Sequence, residues 1–169
     1  MLIRDLKGQI EKMGFSGRRV LVAVSGGVDS STLVLALHEL AETHALKLAI
    51  GHVNHGLRGR ASELDQACVE NLAARLGVPI LIRRADPRPL QVNRSSRLRP
   101  TTQEAAREVR YRALESMADA FSADHIATAH NAPIDPSQHP PRGRSQPATR
   151  RVYTRAIIRH MRIDGLLPE

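Results

Sequence analysis

Arg19-Val20-Leu21-Val22-Ala23-Val24 runs directly into Ser25-Gly26-Gly27-Val28-Asp29-Ser30, and the fold depends on how that junction is read. The first six residues are mostly β-branched or apolar and contain no breaker, the pattern of a strand buried on both faces. The next six change character. Two glycines permit a tight turn and leave no Cβ in the path of a ligand. Beyond Ser30, residues 31–40 resume at helical spacing, with Leu33, Val34, Ala36, Leu37 and Leu40 apolar. A glycine turn between a buried strand and a helix gathers backbone N–H groups at one point, and the helix dipole adds partial positive charge there. Such a place binds phosphate. No lysine follows the second glycine, so the Walker spacing is absent, and so is the dinucleotide fingerprint. The competing reading is an ordinary βα turn rich in small residues.

Upstream of this junction, Leu2, Ile3, Leu6, Ile10 and Met13 recur at three- and four-residue steps. They predict an amphipathic helix that ends at Gly14 and packs against a sheet edge. Downstream, the helix after the turn is expected to run to about His44, and residues 47–53 read as a second buried strand. That strand leads into His52-Val53-Asn54-His55-Gly56-Leu57-Arg58-Gly59. Polar residues at the carboxyl end of a parallel strand sit where open α/β sheets take ligands. His52, Asn54 and His55 suit a metal pair, a nucleotide-base reader or loop filler, and no third ligand lies at a useful metal spacing. Arg58 and Arg60 suit phosphates or plain solvation.

Residues 61–77 predict a helix, with Ser62 and Asp65 as a capping pair and Gly77 as its stop. Leu64, Cys68, Leu72 and Leu76 share its spacing, which makes Cys68 a small buried apolar residue. Residues 79–82 read as a third strand. Residues 85–100 are rich in Pro and Arg and read as a long loop, either an RNA contact or a solvated insert. Thr101 and Glu104 form a capping box that opens a helix reaching about Phe121. Its apolar stripe is Ala106, Val109, Ala113, Met117 and Ala120, and Arg107 and Arg110 share a face. Residues 124–130 read as a fourth strand ending in His130. Alternation of strand and helix over residues 19–130 predicts an α/β fold: an open, mostly parallel sheet with helices on both faces.

The chain has 169 residues, enough for one domain with a core, and 41% of them are hydrophobic. A net charge of +8 and a pI of about 10.9 favour a polyanionic partner. Aromatics are only 2%, which argues against base stacking on aromatic platforms. One cysteine excludes a disulfide framework within the chain. No apolar run is long enough to span a membrane, and the N-terminus carries no signal-peptide apolar block, so the expected location is cytoplasmic.

The turn at residues 25–30 resembles the pyrophosphate loop, S-G-G-x-D-S, of the ATP pyrophosphatases, which cut ATP between its α- and β-phosphates. Two further blocks narrow the resemblance. Residues 52–58 are one. Glu104-Ala105-Ala106-Arg107-Glu108-Val109-Arg110-Tyr111 together with residues 123–130 are the other. In this order they resemble the tRNA(Ile)-lysidine synthetases over roughly residues 15–132. The resemblance implies an adenine nucleotide alpha-hydrolase-like, Rossmann-like fold, with ATP and Mg2+ as cofactors and isoleucine tRNA and free lysine as partners. It implies a two-step ligation. The oxygen on carbon 2 of the wobble cytidine attacks the α-phosphate and pyrophosphate leaves. The lysine ε-amine then attacks the activated carbon and expels AMP. Ser25, Gly26, Gly27, Val28, Asp29 and Ser30 would take the phosphates, with Asp29 as magnesium ligand. His52 and Asn54 would line the adenosine pocket. Arg110 would offset charge at the α-phosphate, His130 would sit by the adenylated base, and Arg58 and Arg107 would meet substrate or RNA.

The match stops after His130. Where the family continues His-x-x-Asp-Asp-x-x-Glu-Thr, this chain has Pro133, Ile134 and Ser137, and Asp135 is out of step. Residues 133–150 lack apolar periodicity, and Pro133 and Pro136 oppose a helix. Val152, Ile157, Ile158, Met161 and Leu166 carry a weak pattern that suggests a short helix. The expected organisation is a truncated pyrophosphate-loop domain over 1–132 and a divergent, largely disordered tail over 133–169. The family's tRNA-binding carboxyl-terminal domains have no counterpart here. Two alternatives stand beside the ligase: an adenine-nucleotide-binding fragment without ligase activity, and another pyrophosphate-loop enzyme such as a tRNA thiolation enzyme or an amide-forming synthetase. The single cysteine argues against thiolation.

Overall fold

The computed structural model describes residues 2–12, 14–92, 100–129 and 152–156. In chain order the elements are α1 (Leu2–Lys12), β1 (Arg19–Ala23), α2 (Val28–Ala41), β2 (Lys47–Asn54), α3 (Arg60–Leu76), β3 (Ile80–Arg84), α4 (Arg88–Val92), α5 (Thr102–Phe121), β4 (His125–Ala129) and β5 (Val152–Ala156). The strands form one sheet in the order β3-β2-β1-β4-β5, and every neighbouring pair is parallel. The chain travels outward from β1 through β2 to β3, then crosses back to the far side of β1 as β4. That reversal is the topological switch point, where open α/β sheets bind ligands at the carboxyl ends of their strands. The glycine turn leaves β1 at this place.

Strand alternation divides the core. Val20 and Val22 point to one face with Leu48 and Ile50, where α1, α2 and α3 supply Leu6, Ile10, Leu33, Leu37 and Val69. Leu21 points to the other face with Ala49 and Ile126, covered by Leu114 and Met117 of α5. Gly51 is part of that fit, because a Cβ there would lie 3.1 Å from a Leu21 methyl group. Helix α1 packs on α2 within the first core rather than against a sheet edge. Among the described residues no helix is long and apolar enough to cross a membrane.

Four local expectations change. Cys68 is exposed. Helix α3 turns Ser62, Val69 and Ala73 inward, leaving Leu64 out in solvent. These residues are seven and four apart, so they form a stripe offset from the one Cys68 belongs to. Ser62 and Asp65 do not cap α3. Its N-cap is Gly59, without a side-chain bond, and the Ser62 hydroxyl instead accepts the Arg58 N–H at 3.3 Å. The Pro- and Arg-rich segment contains the short helix α4, started by Asp86, whose carboxylate takes both the Arg88 N–H and its guanidinium. Finally, residues 152–156 form a parallel strand beside β4 rather than a helix. Residues 130–151 and 157–169 lie outside the described residues, and with them His130 and the expected disorder of the tail. The capping box at Thr101 and Glu104 is formed in both directions.

Candidate functional site

The two glycines of the turn serve different ends. Gly26 has φ +91°, a backbone that side chains rarely adopt, and a Cβ there would lie 3.1 Å from the Cβ of Asp65 on α3. Gly27 is the N-cap of α2 with φ −83° and ψ 159°, open to any residue. A Cβ on Gly27 would meet only the Ser25 hydroxyl, at 3.5 Å. Gly26 therefore holds the loop against α3, while Gly27 keeps the helix end bare.

Side-chain hydroxyls brace the turn from within. Ser30 Oγ donates to the Gly27 carbonyl at 2.9 Å and accepts the Ser25 N–H at 3.1 Å. Its single hydrogen is spent, so the 3.1 Å contact between the two hydroxyls is a donation from Ser25 to Ser30. Ser25 Oγ also accepts the Gly27 N–H at 3.4 Å, and Ser31 Oγ donates to the Gly27 carbonyl at 3.0 Å. In the chain by itself the hydroxyls of Ser25 and Ser30, expected to meet phosphates, bond within the loop. Val28 and Asp29 occupy the exposed first turn of α2, where the helix dipole favours a carboxylate.

A cleft of about 440 Å³ opens at the carboxyl edge, lined by residues from the turn, from β2 and its following loop, and from α3, α5 and β4. His52 and Asn54 lie in its wall, each only 3% exposed. The His52 Nδ1–H donates to the Val24 carbonyl at 2.8 Å, which orients the ring with Nε2 on its far side. That Nε2 is buried with no partner among the described residues. Asn54 donates to Gln66 at 3.0 Å and Glu63 at 3.4 Å, and its oxygen accepts the Gly56 N–H at 2.9 Å. Its amide is fully used in tying the loop after β2 to α3, and it meets the cleft as a wall.

His55 faces the cleft from the α5 side, its Nδ1–H donated to the Ala85 carbonyl at 2.8 Å. Burial, then the neighbouring Arg110 and His52, hold its pKa below the ordinary value, outweighing the carbonyl that acts the other way. Arg110 also lines the cleft. Desolvation, with Arg107 adding repulsion, lowers its pKa from the usual guanidinium value, although it remains a cation. No carboxylate of the described residues pairs with it. Arg107 instead lies over the Tyr111 ring at 5.4 Å, with its Nε buried and unpartnered among the described residues. Arg58 lines the cleft but is held by Asp65 at 2.6 Å. His130 lies outside the described residues. No three His, Cys, Asp or Glu side chains converge on a metal position among the described residues.

The sequence placed His55 at this edge without its bond to Ala85, and read Asp65 as part of a cap rather than as an anchor in the cleft. The available signal was topological: the first turns of the helix after β2, and the loop before it, must stand at the carboxyl edge. The cleft carries Arg58 and Arg110 and adjoins a self-braced glycine turn, which suits a ligand carrying phosphates.

A profile of the PP-loop domain matches residues 2–133. The tRNA(Ile)-lysidine synthase of Clostridium perfringens strain 13 is 40% identical over 117 residues, covering 69% of this chain and 24% of that protein. The same-named protein of Symbiobacterium thermophilum is 41% identical over 115 residues, covering 68% and 23%. That of Dehalococcoides mccartyi is 35% identical over 132 residues, covering 77% and 27%. The chain therefore spans about a quarter of the length of these relatives. Among solved structures, the U34-tRNA thiolase NcsA from Methanococcus maripaludis superposes with a TM-score of 0.54 at 21% identity, covering 75% of this chain and 44% of that one. An NH3-dependent NAD synthetase from Campylobacter jejuni gives 0.50 at 14% identity, covering 75% and 52%. These two share the fold. With the switch-point sheet, the glycine turn and the profile in agreement over most of its length, the chain belongs to the PP-loop domain family.

Proposed function

We propose that this chain is the ATP-binding part of a tRNA(Ile)-lysidine synthetase, acting on the wobble cytidine of isoleucine tRNA. The observation that carries the proposal is the self-braced turn with its open Gly27, whose Ser25 and Ser30 line the same cleft as Arg110, a cation with no anionic partner among the described residues. The backbone of Gly26, Gly27 and the first turn of α2 would hold the departing pyrophosphate, where negative charge grows. Arg110 would balance charge at the α-phosphate. His52 and Asn54 form the wall against which adenosine would lie, and His130 would sit by the activated base. Magnesium is usually held by one or two carboxylates plus phosphate oxygens. Asp29 is the carboxylate proposed to hold it. Bound there, the ion would offset phosphate charge. Arg60 and Arg107, with the arginines of residues 85–100, are the proposed RNA side, in the cytoplasm where tRNA and ATP meet.

Ligation by the chain as it stands is proposed to be poor. The lysine amine must be gripped and delivered unprotonated, and carboxylates that offset a metal's charge make that possible. Pro133, Ile134 and Ser137 occupy the positions of those acids. Losing such electrostatic groups costs ~10²–10³-fold in rate each. The test is calorimetric titration with ATP beside tRNA-dependent incorporation of labelled lysine. The expected result is ATP binding with lysine incorporation far below that of a full-length synthetase. Absence of ATP binding overturns the proposal, and comparable turnover overturns its second half.

A further inference from the structure

We infer that Arg58, held in place by Asp65, is a clamp for the pyrophosphate end of the nucleotide rather than an RNA contact. The inference rests on the reading of the cleft as an ATP site. It begins at Gly26. A Cβ there would lie 3.1 Å from the Asp65 Cβ and 3.4 Å from its Cα, so Asp65 touches the glycine turn directly. From that point its carboxylate receives Arg58 Nη2 at 2.6 Å. The Arg58 backbone is tied to the same helix, its N–H donating to Ser62 at 3.3 Å. Arg58 is thus fixed at both ends to the first turns of α3, and Ser25, Ser30, Arg58, Ser62 and Asp65 line one cleft.

The pair is poorly placed to stabilise the fold. The Arg58 side chain is 70% exposed and that of Asp65 34%, and exposed ion pairs add little to stability. What the pair does fix is the location of a cation. A guanidinium carries five N–H donors, and Asp65 takes one of them. The rest are available to an anion, and the planar fork suits phosphate oxygens. A guanidinium bonded to the very side chain that packs on Gly26 is tied to the phosphate turn through Asp65. Asp65 is a positioning residue in this arrangement.

The test uses inorganic pyrophosphate, ATP, AMP and tRNA as titrants on the whole chain, and it has a sign that electrostatics alone would reverse. Deleting a carboxylate beside an anion site strengthens anion binding if charge is all that matters. If Asp65 acts by holding Arg58, Asp65→Ala weakens pyrophosphate and ATP binding about tenfold, the scale of a lost charge-assisted hydrogen bond. AMP affinity stays unchanged. Alanine keeps the Cβ that packs on Gly26, and thermal unfolding checks that the fold is retained. Asp65→Asn, which keeps an oxygen acceptor in the same place, binds pyrophosphate within about threefold of wild type. Arg58→Gln weakens pyrophosphate binding as Asp65→Ala does, and combining the two adds nothing, as expected of coupled partners. Equal or tighter pyrophosphate binding by Asp65→Ala overturns the inference. So does an Asn variant as weak as the Ala one, or an Arg58→Gln protein that loses tRNA but keeps pyrophosphate. A wild-type chain that fails to bind ATP overturns the ATP reading itself, whereas wild-type binding with unaffected variants overturns the clamp alone.

Discussion

At the amino edge of the sheet, Arg19 exchanges backbone and side-chain bonds with Asp124, each 2.8–2.9 Å long. Its guanidinium donates twice to the Phe121 carbonyl, at 2.9 and 2.6 Å, and lies 4.3 Å over the Phe121 ring. Phe15 stacks on His125 with ring centroids 4.0 Å apart, and the Gly17 N–H closes on the His44 carbonyl. At the carboxyl edge of the same strands, the turn spends its hydroxyls on itself, while Arg110 faces a cleft with no carboxylate of the described residues beside it. One edge joins β1 to β4 through the polar groups of Arg19 and Asp124, and the other presents a cation that no carboxylate of the described residues pairs. A partly desolvated cation facing a concave space, with no carboxylate of the described residues paired to it, marks a binding edge beside a structural one.

The sharpest way to break this comparison is at Gly27. Gly27→Val should leave the fold intact, since the backbone there accepts valine and the new Cβ meets only Ser25. Its methyl groups would occupy the space in front of the helix end, and ATP affinity should fall by at least about 100-fold, the loss expected when several charge-assisted bonds go together. Calorimetry of a folded Gly27→Val protein decides it, and unchanged affinity would sink the phosphate reading. The neighbouring glycine should answer in the opposite currency. Gly26→Ala forces φ +91° on a residue with a Cβ and presses it on Asp65. The expected cost is about 1–3 kcal/mol of stability, read as a lowered midpoint in urea.

A smaller effect is expected at the amino edge. Arg19→Ala removes two bonds to the Phe121 carbonyl and the contact with its ring. About 1–2 kcal/mol of stability should go with them, and ATP affinity should not move. A change in ATP affinity with little change in unfolding would mean that the two edges are coupled, and the division drawn between them would fail.

What the sequence made legible was local. The strand–turn–helix junction, the Thr101–Glu104 box and the αL stop at Gly77 each depend on residues a few positions apart, and each is present. The parallel sheet followed from alternation. What it concealed was non-local. The bonds that tie Asn54 to Glu63 and Gln66, nine and twelve residues on, cross a loop and cannot be read from the residues around Asn54. Ser62 and Asp65 look like a cap because their spacing is right, yet Gly59 starts the helix and leaves Asp65 free to meet Gly26 and Arg58. Cys68 was misplaced because two stripes of α3 are both apolar enough, and only contact with the sheet chooses between them.

The smallest expected effect lies in the pH dependence of the carboxyl edge, through His55. Burial, Arg110 of α5 and His52 of β2 hold its pKa below the ordinary 6.5. The unfolded chain therefore takes up the proton first as pH falls. His55 contributes its full share of stability above pH 6.5, and that share is lost as pH drops through the lowered folded value. Ligand binding runs the other way. Phosphates near Arg110 would offset the positive charge that opposes protonation of His55, so binding takes up a proton and ATP affinity should rise as the solution is acidified. The nucleotide protonates in the same range, but that contribution is common to wild type and His55→Gln and cancels in their difference. Between pH 7.5 and 5.5, wild type should gain roughly two- to threefold in affinity relative to His55→Gln. A pH-independent ratio would place the phosphates away from the α5 wall, and Arg110 would then lose its proposed role at the α-phosphate.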